Sequence, residues 1–206
     1  MADLLPLLDA IPDLELPTMP KRILLAATLM VASPAFVIAE TTAHLNDEAK
    51  ILIKQFATSL KGELVSAIKA GGPSNAIAVC EDRAPAIANS LSESSDWTIG
   101  RTSLKTRNPD NAPDAWETKI LKQFEGLKAA GNPVEPMSYA AVVEEDGQKQ
   151  YRYMKAIPTQ EVCLACHGKQ LNPAVVEALE AAYPQDQATG YSAGDIRGAF
   201  TLSKPL

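Results

Sequence analysis

The sequence predicts an α+β domain in which helices come first and an antiparallel sheet, interrupted by further helices, follows. Three observations predict it. Leu45, Ala49, Leu52, Ile53, Phe56, Leu60, Leu64 and Ile68 recur at helical spacing and draw one apolar stripe along a long N-terminal helix. Tyr139–Glu144 and Gln150–Ala156 read as strands joined at Asp146-Gly147, a hairpin signal. Helical text also separates this hairpin from the other strand segments.

Taken in order, the first helix runs from about Leu45 to Ala70, and Gly71-Gly72-Pro73 stops it. A second runs from Ser74 to Arg83, where Pro85 forces a break or a new start, with a short helix on to Leu91. Trp97–Ser103 reads as a strand, and Asn108–Pro113 is dense in turn formers. Pro113 opens a helix that carries Trp116, Ile120, Leu121, Phe124 and Leu127 on one face and ends at Gly131. After the hairpin come a Cys-Leu-Ala-Cys-His segment, a helix from Pro173 to Ala182 and a closing strand from Ile196 to Leu202. Trp97 and Trp116 are expected in the core. No internal repeat or low-complexity segment interrupts the chain.

The 206 residues suit one ordinary domain. The formal net charge of -6 repels phosphate backbones, which excludes nucleic acid as a natural partner. Residues 1–39 are set apart from the fold as an upstream extension and a secretory signal peptide, leaving 40–206 as the domain. Lys21-Arg22 precede an almost wholly apolar run from Ile23 to Ala32, then Ser33-Pro34, with Val37 and Ala39 at the small-residue positions of a cleavage site. Export to the periplasm follows from this reading, and membrane contact arises only if the leader is retained as an anchor. Residues 1–18 are acidic ahead of a basic start, which fits either an over-extended reading frame beginning truly at Met19 or an unusually long leader. Cleavage after Ala39 removes four acidic and two basic side chains, taking the net charge from -6 to -4.

Cys163-Leu164-Ala165-Cys166-His167 carries the chemistry. Two thiols with two residues between them reach the two vinyl groups of one porphyrin edge, and the adjacent histidine lies where its imidazole binds iron: one covalent haem c. Export agrees, since c-type haem is attached outside the cytoplasm. A thiol-redox centre is expected at a helix start in a βαβ setting, and the histidine would go unused. Structural zinc needs four ligands, and only Cys80 and His44 remain to complete a set. A disulfide between Cys163 and Cys166 would close a tiny loop and stabilise little.

A second axial ligand has four candidates: Cys80, His44, Met137 and Met154. His44 lies near the start of the exported chain, where segments are often loose. The methionines suit core filling. Cys80 shares the apolar side of its helix with Ala76, Ile77 and Ala84, so it is either a small buried hydrophobe or an iron ligand; an odd thiol in an oxidising compartment needs one of these protections.

Several stretches together resemble the PAS-like c-type haem sensor domain, long catalogued as a bacterial domain of unknown function. They are Ala76–Cys80 with Ala84–Ala88, Trp97–Lys105, Arg107–Glu117, the Cys-x-x-Cys-His segment and Gly194–Ala199. The resemblance spans the chain beyond the leader. It implies a PAS-like central antiparallel sheet flanked by helices, His167 as one axial ligand and a cysteine, here Cys80, as the other. Arg101, Lys105, Arg107 and Arg197 fall in these stretches and suit pairing with haem propionates, since a guanidinium fork matches a carboxylate.

The function expected is a redox or diatomic-gas sensor working through a His/Cys-ligated haem, with a soluble periplasmic electron-transfer cytochrome c as the alternative. Nothing calls for catalysis: no nucleophile triad, phosphate-binding loop or metal cage is legible. Relatives in such families are often fused to membrane and signalling segments. The text ends at Leu206, soon after the last strand, so any output is expected to pass to a separate redox or signalling protein.

Overall fold

The computed structural model describes residues 34–206, with side chains from Thr42 onward. The leader expected over residues 1–39 lies outside the described residues, apart from helical backbone at 34–39. No helix among the described residues is long and apolar enough to cross a membrane.

The chain forms an α+β domain around a four-stranded antiparallel sheet of order β1-β4-β3-β2. The strands are β1 (Thr98–Thr102), β2 (Ser138–Glu145), β3 (Gln148–Pro158) and β4 (Ile196–Pro205). Five helices accompany them: α1 (Pro34–Asn75), α2 (Ala84–Glu93), α3 (Ala115–Ala129), α4 (Leu164–His167) and α5 (Pro173–Ala182). The β2–β3 hairpin turns at Asp146-Gly147 with φ of 51° and 76°, the pair of positive values that a tight two-residue hairpin turn requires.

Alternation along β3 divides the core. Tyr151 and Tyr153 face α1, packing with Leu45, Ile53, Phe56, Trp97 and Ile99. Met154 and Ala156 face the other way, onto Ile120, Leu121 and Phe124 of α3. Helices therefore cover both faces of the sheet, as a period-2 pattern with apolar residues on both sides demands. A third cluster joins Ile77 to Val175, Leu179 and Tyr183, clamping α5 beside the C-terminal end of α1.

Local signals explain the boundaries. α3 starts at a capping box: Asp114 Oδ1 accepts from the Glu117 backbone N–H at 2.7 Å, and Glu117 Oε2 accepts from the Asp114 N–H at 3.1 Å. Gly71 and Gly72 leave helical geometry inside α1, so its regular run ends where the glycines stand. Gly198 has φ of 156°, and a Cβ there would collide with the Thr102 carbonyl; β4 passes β1 at this point with no room for a side chain.

Two sequence expectations change, and one open alternative is decided. Pro85 marks a new helix start rather than a break. A π-helical turn (Val79–Arg83) runs straight into α2, and Pro85 sits in the first turn of α2, where its missing N–H leaves no helical bond unmade. Trp116 is half-buried rather than a core residue: its ring lies under the Arg152 guanidinium, 4.4 Å from the centroid, at the rim of the α3 cluster. Strand β4 is longer than alternation suggested because its ladder continues to the Gln150–Pro205 pair, and β3 is longer because it pairs with β2 back to Gln148 and with β4 on to Pro158.

Candidate haem site

One cavity gathers the chemically loaded residues. It holds about 1140 Å³ of empty space, open solvent at its mouth included. Cys80, Cys163, Cys166 and His167 all line it. Leu60, Leu64 and Ile68 of α1 and Ile77 form an apolar wall, while Ser103, Thr106, Asn108 and Asn111 with Arg101, Arg107 and Arg197 form a polar one. The half-buried stripe of α1 that leaves the sheet at Leu60 faces this space.

Cys163 ends a 3₁₀ turn (Glu161–Cys163), and Leu164–His167 is one short helix after it. This compact turn brings both thiols and the imidazole to one wall. All three cysteines are free thiols. Burial pushes the Cys166 thiol up from its ordinary value, with Arg107 acting the other way.

His167 is held with care. Burial pushes its imidazole down to about 2, with Arg197 and Arg107 adding to the effect, so the ring is neutral. Nδ1 lies 2.7 Å from the Ala188 carbonyl, which only accepts, so Nδ1 carries the proton and Nε2 keeps the lone pair. Arg197 Nε lies 3.2 Å from Nδ1 and 3.4 Å from Nε2; only the second contact has a lone pair to receive it. Fixing one nitrogen to a carbonyl so that the other is free is the arrangement that metal-ligating histidines use.

The Ala188 carbonyl is itself pinned. Asp186 Oδ1 accepts from the Ala188 N–H at 2.8 Å. Arg107 closes the ring: it pairs with Asp186 Oδ2 at 2.9 Å and donates to the carbonyls of Cys166 at 2.6 Å and Ala188 at 3.2 Å. Arg107 and Asp186 are both buried, with side chains 6% and 10% exposed. The Tyr191 N–H adds a bond to the His167 carbonyl at 2.9 Å, and its ring meets the imidazole edge-on.

Cys80 enters from a different element, the π-helical turn, which widens the helix at the residue that faces the cavity. Such single π-turns recur at functional positions because the extra residue redirects a side chain. Arg83, at the end of this turn, grips Glu63 of α1 through two bonds of 2.6 and 2.8 Å.

The other candidate ligands lie elsewhere. His44 is exposed and 3.4 Å from Glu48 on the surface of α1. Met137 and Met154 are buried in the α3 cluster. Lys105 is no cavity residue: its Nζ donates to the Thr189 carbonyl at 2.6 Å and faces the Tyr191 ring. Sequence reading missed the segment 183–191 entirely. The one legible signal was Asp186-Gln187-Ala188, where an aspartate accepting from the second residue onward makes an Asx turn.

Two thiols, a neutral imidazole whose Nε2 keeps its lone pair, an apolar wall and a basic polar wall fit a haem, which Cys163 and Cys166 could hold at its vinyl groups and His167 and Cys80 at its iron.

A PAS-like α+β domain whose cavity joins a Cys-x-x-Cys-His turn to a third thiol defines a class of protein, and the comparisons agree with it. The chain belongs to the Tll0287-like family, which matches residues 27–205. Among solved structures it is similar to the cyanobacterial haem protein Tll0287, with a TM-score of 0.60 and 25% sequence identity over 85% of this chain and 98% of that one. No curated protein matches it.

Proposed function

We propose that this protein is an exported, periplasmic c-type haem protein that senses redox state or a diatomic gas. One haem is bound through Cys163 and Cys166, with His167 and Cys80 as axial ligands. The observation that carries the reading is the single cavity lined by all four residues, with Cys80 supplied by a π-helical turn. Similarity to a haem protein along most of the chain supports it.

A thiolate donates charge to iron, favours the ferric state and is held less well by ferrous iron. One electron from a redox partner would leave the iron ferrous, and Cys80 could then leave as the protonated thiol or be replaced by another ligand. The widened turn gives Cys80 a place to move, and the Arg83–Glu63 pair passes that movement to α1. A local change of charge thereby biases a longer element, as a switch requires. The output passes to a separate redox or signalling protein, and no catalytic step is involved. An electron carrier with His/Met ligation fits less well, since both candidate methionines are buried in the α3 cluster.

The test is reduction under carbon monoxide. The reduced protein is expected to lose its thiolate spectrum and bind the gas. Reduced protein that keeps Cys80 on iron and refuses carbon monoxide and nitric oxide would sink the gas-sensing form.

A further inference from the structure

Among the described residues, three arginines line the cavity, and no aspartate or glutamate does. Arg107 is neutralised by Asp186. Arg101 meets no hydrogen-bond acceptor among the described residues; its guanidinium lies 5.6 Å over the Phe56 ring. Arg197 reaches only neutral groups: Ser103 Oγ at 3.2 Å, the Lys105 carbonyl at 3.4 Å and the His167 ring. An unpaired buried cation is costly, so a fold that keeps two of them in one cavity carries a standing penalty. A ligand that brings two negative charges on an apolar body offsets it.

We propose that Arg101 and Arg197 each receive one carboxylate of the group bound in the cavity, which for a haem means its two propionates. The assignment rests on the haem reading above and narrows it: Lys105 does not line the cavity, and Arg107 is excluded because the Asp186 carboxylate neutralises it. The guanidinium fork suits a carboxylate bidentately, and the apolar wall of Leu60, Leu64 and Ile68 suits the macrocycle. A metal on Nε2 of His167 takes the lone pair that Arg197 now faces, which frees that guanidinium for an anion.

The experiment is resonance Raman spectroscopy of the holo-protein, wild type beside Arg101→Met, Arg197→Met and the double variant, with reduction potentials measured alongside. Each single variant is expected to shift one propionate-bending component and to lower the potential, because a cation near the iron is lost. The double variant shifts both components, and Arg101→Lys and Arg197→Lys recover the potential in part. Should the methionine variants not accumulate, the lysine variants are compared with wild type, and altered propionate bands are expected there too. A double variant with native haem absorption and wild-type propionate bands and potential would overturn the assignment while leaving the haem reading intact. A wild-type chain without haem would overturn both, and haem absorption alone shows which has failed.

Discussion

Replacement of Cys80 by alanine is expected to abolish the low-spin ferric thiolate signature in electron paramagnetic resonance while leaving the haem attached. The potential should rise, on the order of 0.1 V or more, within the roughly 0.8 V range over which axial ligands act. The sign follows from charge: thiolate donation stabilises the ferric state, and its loss favours the ferrous one. Cys80 sits at the cavity wall and in none of the three apolar clusters, so little packing is lost by truncation. Spectra and potential unchanged by the substitution would reduce Cys80 to a wall residue and favour the electron carrier.

The largest effect on stability is expected from Arg107→Ala. Removing one partner of a buried ion pair costs about 3–5 kcal/mol, because the other charge remains buried. For a domain of this size that lowers the melting temperature by about 6–20 °C. The Cys166 and Ala188 carbonyls lose a donor in the same step, so the peptide that fixes the His167 tautomer loosens. Asp186→Asn keeps a hydrogen-bonding group beside Arg107 and should cost about 1–3 kcal/mol. Thermal unfolding of the holo-proteins reads both; an Arg107→Ala protein as stable as wild type would show that the ring of bonds is ornamental.

Most of the fold was legible because its elements are amphipathic and well punctuated. The stripe of α1, the Asp146-Gly147 hairpin and the helix after Pro113 all state their period and their ends in the text. The π-helical turn was not legible: its hydrogen bonds run one residue further than those of an α-helix, and side-chain spacing over five residues cannot separate the two. Trp116 was misread for a similar reason. Helical spacing places it beside Ile120, but the pairing of Arg152 with Asp114 and Glu117 draws a guanidinium over its ring. For the site, chemistry named Cys163, Cys166 and His167, and family resemblance singled out Cys80. Asp186 and Ala188 act through one carboxylate and one backbone carbonyl in a segment without periodicity, and only the folded chain brings them to His167. Spacing also could not sort the four basic residues. Their distinction is whether they line the cavity and whether a carboxylate already neutralises them, and that is a property of the tertiary structure.

The central claim is covalent haem at Cys163 and Cys166. It is tested most directly by the intact mass of the chain, purified from cells that mature c-type haem and measured after denaturation. The account predicts a chain heavier by one haem, with the added mass absent from the Cys163→Ala/Cys166→Ala double variant. A denatured wild-type chain at its bare polypeptide mass would contradict it.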